Sequence, residues 1–317
     1  MSASIAGAPR PFRFGVQAAV AASAEEWTAK VRRIDDLGYT VLALNDHFNH
    51  QLAPVPALMA AAAASPRLEL GATVFSNDFK HPVVLAKEMA TVDVLSGGRT
   101  FIGLGAGWLR SDYEQAGIAY DAPGTRISRL MEAVTVIKGL FDEAPFTFHG
   151  TYYSIDGLDG WPKPARRPHP PLFIGGGGRR ILSFAAREAD IVGINVDLRG
   201  GDFGSYLRGG ATGGGVGEKV EWIREAAGDR MTAIELNVCL FNIGVTDDRE
   251  AYARGVAESH GADVDQVLAT PNVLIGTIQE MVDTLLKRRE RFGISHILVP
   301  YPRIDQFAPI VDRLTGR

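Results

Sequence analysis

Three stretches of this 317-residue chain combine residue types and spacings that could do chemistry. The first is Asn45-Asp46-His47-Phe48, directly after a short apolar run. A loop histidine beside a carboxylate suits proton transfer, because the neighbour can fix which ring nitrogen holds the proton. The same pair also fits a structural histidine capping the next helix. The second stretch is Gly175-Gly176-Gly177-Gly178-Arg179-Arg180, placed between a strand and a helix. Glycines let backbone approach an anion, a helix start offers free N–H groups, and arginines add paired donors. That makes it a candidate phosphate site, with a plain turn and solvated arginines as the alternative. The third is Gly103-Leu104-Gly105-Ala106-Gly107-Trp108. It departs from a dinucleotide fingerprint, whose third glycine would fall on Trp108 and whose acidic partner about twenty residues on is missing. The reading here is backbone thinned so that a flat ring can lie against it. His47 and His50 lack a third ligand at telling spacing, so no metal site is expected. No nucleophile elbow or P-loop is present.

These residues need elements to hold them. Leu68–Phe75 reads as a buried strand, Ser76–Lys80 as a polar loop, and Pro82–Leu95 as a helix with proline in its first turn. Ser96-Gly97-Gly98-Arg99 ends that helix, and Thr100–Leu104 is the next strand. Such a βαβ unit demands a parallel sheet, in which ligands sit beyond the carboxyl ends of the strands. Further strands are expected at Phe12–Gln17, Val41–Leu44, Leu172–Ile174, Asp190–Val196, Ile234–Ile243 and His296–Pro300. Helices are expected at Ala24–Leu37, opened by a Ser23–Glu26 capping box, and at Val55–Ala64, Ser111–Gly117, Arg126–Phe141 and Ile181–Arg187. Others fall at Glu218–Ala227, Asp248–Ser259, Gln279–Phe292 and Asp305–Leu314. Pro145–Asp156 alternates like a hairpin around His149-Gly150, and Asp197–Gly217 is so glycine-rich that a mobile loop is expected. Eight strands mostly separated by helices, without a composition break, predict one (β/α)8 TIM barrel over residues 1–317. Its insertions at the C-terminal face are the hairpin region, about 145–171, and the loop, about 197–217.

Composition narrows the function classes. A net charge of −4 gives no electrostatic case for binding nucleic acid. The single cysteine, Cys239, excludes an intramolecular disulfide and reads as a core side chain. No apolar window is long enough to span a bilayer, and the first ten residues lack a signal-peptide pattern, so the cytoplasm is the expected location.

Taken in order, FGVQ (14–17), NDHF (45–48), LGATV (70–74), HPVVLAKEMATVDVLSGGR (81–99), GLGAGW (103–108) and PPLFIGGGGRR (170–180) resemble the bacterial-luciferase-like flavin and deazaflavin oxidoreductases. The likeness is greatest to the branch that uses coenzyme F420, an 8-hydroxy-5-deazaflavin. That resemblance implies a bacterial luciferase-like TIM barrel, hydride transfer to or from an organic small molecule, and a homodimer. Carried over by position, the ring lies over a Thr73–Val74 bulge that members hold as a non-proline cis peptide. Asp46 and His47 flank the ring near its redox carbon as the catalytic pair. Asn77, Ala106, Gly107 and Trp108 line the pocket, and Gly175, Gly176, Gly177, Gly178 and Arg179 hold the phosphate. Sugar-oxidising members carry a glutamate at the position of Trp108, so an apolar substrate is expected here. Two alternatives stand beside this. One is an FMN-dependent monooxygenase; the other is a non-catalytic flavin-binding or assembly subunit. A deazaflavin has carbon where flavin has N5, so it passes hydride but does not readily form the oxygen adduct.

Overall fold

The computed structural model describes residues 10–196, 198, 200–201 and 215–317. Residues 197, 199 and 202–214, most of the glycine-rich stretch expected to be a mobile loop, lie outside the described residues. In chain order the strands are β1 (Arg13–Gln17), β2 (Val41–Leu44), β3 (Glu69–Ala72), β4 (Phe75–Ser76), β5 (Ile102–Gly105), β6 (Phe146–His149) and β7 (Ser154–Leu158). They continue with β8 (Leu172–Gly176), β9 (Ile191–Ile194), β10 (Glu235–Cys239), β11 (Asn242–Val245), β12 (Val273–Gly276) and β13 (Ile294–Pro300). Among the described residues no helix is long and apolar enough to cross a membrane.

The chain divides into two compact units. One holds Met1–Gln17, Ile34–Val41 and Gly175–Arg317. Its strands pair in parallel in the order β1-β13-β10-β9, with Arg13 opposite His296 and Leu236 opposite Val192. Parallel neighbours need crossover connections; the helix Ile278–Phe292 lies in the one from β10 to β13, whereas the helix Ile304–Leu314 follows the last strand and packs back on β1. The first is bounded as its sequence dictates. The Glu280 amide donates to Thr277 Oγ1 at 3.3 Å, Glu280 Oε2 accepts from the Thr277 amide at 2.8 Å, and Gly293 ends the helix at φ 78°. The second buries Ile304, Phe307, Ile310, Val311 and Leu314, and the Phe307 ring meets Phe14 of β1 edge-on at 5.8 Å. The expected single strand Ile234–Ile243 is in fact two. Its second half, β11, leaves for a small parallel sheet with β12, over a cluster of Ala253, Val256, Ala257, Val267, Val273 and Ile275. β12 and the helix Val264–Ala269 have no counterpart in the sequence reading.

The other unit holds Ala18–Arg33 and Leu42–Ile174. Here β3 neighbours β2, and β4, β5 and β8 run in parallel, with Phe75 opposite Leu104 and Ile102 opposite Leu172. The expected strand Leu68–Phe75 is broken at Thr73–Val74, whose peptide is cis as the resemblance implies. The hairpin β6–β7 is antiparallel around residues 150–153, as the alternation predicts. In the Ser23 cap, Ser23 accepts from the Glu26 amide at 3.2 Å, while Glu26 reaches one residue earlier, to the Ala22 amide, at 2.7 Å.

The long block Pro82–Arg99 does structural work. His81 caps the helix Pro82–Ser96 by accepting from the Val83 amide at 3.3 Å. Past the helix end, the Arg99 guanidinium donates to four carbonyls: Ser96 at 2.9 Å, Ser65 at 3.0 Å, Leu68 at 2.7 Å and Ala62 at 3.1 Å. It therefore satisfies the orphan carbonyls at the end of helix Pro54–Ala64 and ties them to the start of β3. Removing it strands those acceptors. Arg99→Ala should cost about 3 kcal/mol of stability, since bonds to charged groups contribute roughly 1.5–3 each without adding fully. Urea denaturation of the two proteins checks this.

Candidate active site

The site grows out of the loops beyond β2, β3–β4 and β5. His47, just past β2, places Nδ1 2.6 Å from Asp112 Oδ2. Asp112 is buried in the first turn of the helix Arg110–Ala116. Asp46 does something else: its Oδ2 accepts from the Ser76 amide at 3.1 Å. The expectation that Asp46 fixes the tautomer of His47 is therefore corrected. Asp46 braces β4, while His47 meets a carboxylate 65 positions along the chain. Burial pushes the Asp46 carboxyl above its ordinary value, opposed by the Ser76 amide and by the nearby Lys80 and His47 charges.

The loop after β5 supplies the wall. The Trp108 ring stands nearly perpendicular to the His47 ring, at 87° with 5.9 Å between centroids. The Trp108 carbonyl accepts from the Tyr120 hydroxyl at 2.9 Å, and Tyr120 lies under the guanidinium of buried Arg126 at 4.1 Å. Gly105 and Gly107 have a different reason from the one expected. A Cβ on Gly105 would fall 2.3 Å from Val74 Cγ2, and one on Gly107 1.7 Å from the Tyr113 hydroxyl. The thin backbone is filled by the protein's own atoms. Gly107 also sits at φ 74°, a conformation other residues rarely adopt.

Behind that loop lies a buried polar layer. The Tyr113 hydroxyl donates to Asp78 Oδ2 at 3.0 Å, and Arg129 donates to Asp78 Oδ1 at 2.8 Å and also pairs with Asp121. Burial pushes the Tyr113 phenol well above its ordinary value, with the Asp78 charge adding to the rise. Asn77 Nδ2 donates to the Tyr153 hydroxyl on the hairpin at 3.2 Å. The structure thus gathers Asp46, His47, Ser76, Trp108 and Asp112 into one contact network, whereas Asn77 turns to the hairpin. Asp112, Tyr113 and Tyr153 escaped the sequence reading. For Asp112 the only signal was an acidic residue in the first turn of a helix that the sequence does predict.

The glycine run belongs to the other unit. The helix Arg179–Glu188 opens on Gly178, whose missing side chain leaves the first amides uncapped, and a Cβ there would meet nothing within 4 Å. Gly176, by contrast, packs so closely that its Cβ would lie 2.3 Å from Ile181 Cγ2, and its carbonyl accepts from the Asn195 amide at 2.9 Å. Arg179 is exposed and pairs with exposed Glu225 at 3.1 Å. An open uncapped helix start with an arginine at its mouth fits a phosphate. Among the described residues no group of three or more His, Cys, Asp or Glu side chains could hold a metal.

The chain belongs to the luciferase-like monooxygenase family, whose model matches residues 9–202. It is 28% identical over 194 residues to an FMNH2-dependent dimethylsulfone monooxygenase of Pseudomonas putida, covering 61% of this chain and 49% of that protein. It is 30% identical over 168 residues to an F420-dependent glucose-6-phosphate dehydrogenase of Intrasporangium calvum, covering 50% of each. The chain thus spans about half the length of the curated relatives it matches. Its fold is that of the luciferase-like TIM barrels. The coenzyme F420-dependent tetrahydromethanopterin reductase of Methanopyrus kandleri superposes with a TM-score of 0.74 at 18% identity, over 96% of this chain and 98% of that one.

One side chain of the neighbouring helix Pro123–Phe141 takes three backbone amides of the hairpin turn. Glu132 accepts from the amides of Thr151 at 2.8 Å, Tyr152 at 2.8 Å and Tyr153 at 3.2 Å. Desolvation works to raise this carboxyl, but the three amides outweigh it and hold it below its ordinary value. A lowered folded value means that the latch contributes above the unfolded carboxylate's pKa of roughly 4.3 and is lost as pH falls through the folded one. On acidification, protection of the amides at residues 151–153 should fall, so that they exchange faster than the slowed intrinsic rates and their neutral-pH protection predict. Glu132→Ala should show the faster exchange already at neutral pH.

Proposed function

We propose that this protein is a coenzyme F420-dependent oxidoreductase that passes hydride between the deazaflavin and an apolar organic small molecule. The observation that carries the reading is His47, an acid–base group paired to a buried carboxylate and set against the Trp108 ring. Bound at this site, the deazaflavin supplies a carbon that accepts or gives hydride. The protein's own residues do the rest. His47 exchanges the accompanying proton, and Trp108 presents an aromatic wall in place of a carboxylate, which disfavours a sugar phosphate. The amides after Gly178 hold the phosphate, and Arg179 and Arg180 meet the anionic tail that continues beyond it. Relatives that use FMNH2 and relatives that use F420 both stand near this chain. The choice of F420 rests on the open, arginine-flanked end of the glycine run, since FMN ends at its phosphate. The same reading takes the active form as a homodimer, checked by sedimentation.

His47→Ala should lower turnover by about 10²–10⁴-fold, the usual contribution of an acid–base group, with little change in cofactor affinity. A weakened cofactor affinity with unchanged single-turnover rate would instead make His47 a support for the ring. Stopped-flow reduction and equilibrium titration separate the two outcomes.

For the cofactor, titration should show F420 bound more tightly than FMN. Part of that difference should vanish with added salt, and in Arg179→Ala or Arg180→Ala, because exposed charges are screened. Tighter FMN binding, or catalytic oxygen consumption with FMN alone, would turn the reading to a monooxygenase. Binding without turnover of any enone, carbonyl or alcohol would point to a non-catalytic flavin carrier.

A further inference from the structure

We infer that Asp112 is the positioning residue that makes His47 a proton acceptor through Nε2. This rests on the hydride-transfer reading only for what the proton is used for; the geometry stands apart from it. Asp112 Oδ2 lies 2.6 Å from His47 Nδ1, and the side chain of Asp112 is 6% exposed against 15% for His47. A carboxylate only accepts hydrogen bonds, so in the neutral ring the proton sits on Nδ1 and the lone pair is left on Nε2. Asp46 does not take this part: its Oδ2 accepts from the Ser76 amide, and the carboxylate at His47 Nδ1 is that of Asp112. Two further contacts fix the pair. The Asp112 amide donates to the Leu109 carbonyl at 3.1 Å, which seats the carboxylate in the first helical turn, and the perpendicular Trp108 ring limits rotation of the imidazole.

The consequence is a division of labour between two carboxylates near one histidine. Asp46 braces the loop. Asp112 sets the tautomer and, when Nε2 takes a proton, faces the resulting imidazolium with a negative charge. One proton moves between substrate and Nε2, and no bond of Asp112 changes. The side chain acts entirely through His47 and touches no reacting atom.

The test reads the tautomer directly, on protein without cofactor. In uniformly 15N-labelled full-length protein under mildly alkaline conditions, long-range 1H–15N spectra distinguish a protonated Nδ1 from a protonated Nε2. The His47 signals are assigned by their loss in His47→Gln. Wild type should show Nδ1 protonated and Nε2 bare. Asp112→Asn, whose amide can donate as well as accept, should shift the pattern toward Nε2–H, and Asp112→Glu should restore it in part. A wild-type spectrum with the proton on Nε2 would overturn the assignment even if no variant folds, and so would an Asp112→Asn spectrum identical to wild type. With F420 and a turned-over substrate, Asp112→Asn should cost at least about tenfold in turnover while changing cofactor affinity less than about twofold. If the spectra agree and F420 does not bind, the pair stands and the cofactor reading falls. If F420 turns over and the tautomer is wrong, the reverse holds.

Discussion

The contact between His47 and Asp112 ties the loop after β2 to the first turn of the helix Arg110–Ala116, in different βα units, and the surrounding packing supports it. A loop that carries a histidine after β2 has many conformations available. Only the one that brings Nδ1 to 2.6 Å from Asp112 satisfies a carboxylate that is otherwise buried. Leaving that acceptor unpaired costs more than the bond itself returns, so the pair constrains both segments at once. Asp112 in turn depends on where the helix Arg110–Ala116 begins. That start is set by the turn through Gly107 and Trp108.

The turn is held from behind rather than from the solvent side. Tyr113 fills the space that a side chain at position 107 would need, and its hydroxyl is anchored by Asp78, itself neutralised by Arg129. Tyr120, clamped by Arg126, holds the Trp108 carbonyl. Tyr113, Asp78 and Tyr120 have their partners in place, the condition under which such networks stiffen a structure instead of weakening it, while the buried Nε of Arg126 has none among the described residues. A site that must keep one imidazole nitrogen toward a carboxylate gains from backing of this kind. Preorganised groups spend no reorganisation energy when charge develops.

Sequence blocks that look alike in strength have different origins. The run from His81 to Arg99 is long and specific, yet its polar groups cap helices and satisfy carbonyls: Arg99 through four acceptors, and Asp93 through the Thr100 hydroxyl at 2.7 Å and the Arg166 amide at 2.8 Å. The Gly103–Trp108 run invited a ligand explanation, but the backbone is thin there because β5 packs hard against β3 and Val74; a Cβ on Gly103 would lie 1.8 Å from the Ala72 carbonyl oxygen. Glycine at a close approach records only that something is near. Whether that neighbour is a cofactor or the protein's own chain is a tertiary fact.

What the sequence determined by itself was the alternation of apolar runs and helical periods that makes a parallel α/β fold, the hairpin expected over Pro145–Asp156 and found at Phe146–Leu158, and, through its resemblance, the cis Thr73–Val74 peptide. Each of these is local, encoded in spacing, capping residues or a contiguous motif. Three things were decided only in the tertiary structure: the partner of His47, the split of Ile234–Ile243 into β10 and β11, and the latch of Glu132 on the hairpin amides. The reason is the same each time. Residues 65 or 20 positions apart have no spacing rule to link them, and an adjacent carboxylate such as Asp46 looks in the sequence like the natural partner. Packing, not proximity along the chain, chose Asp112.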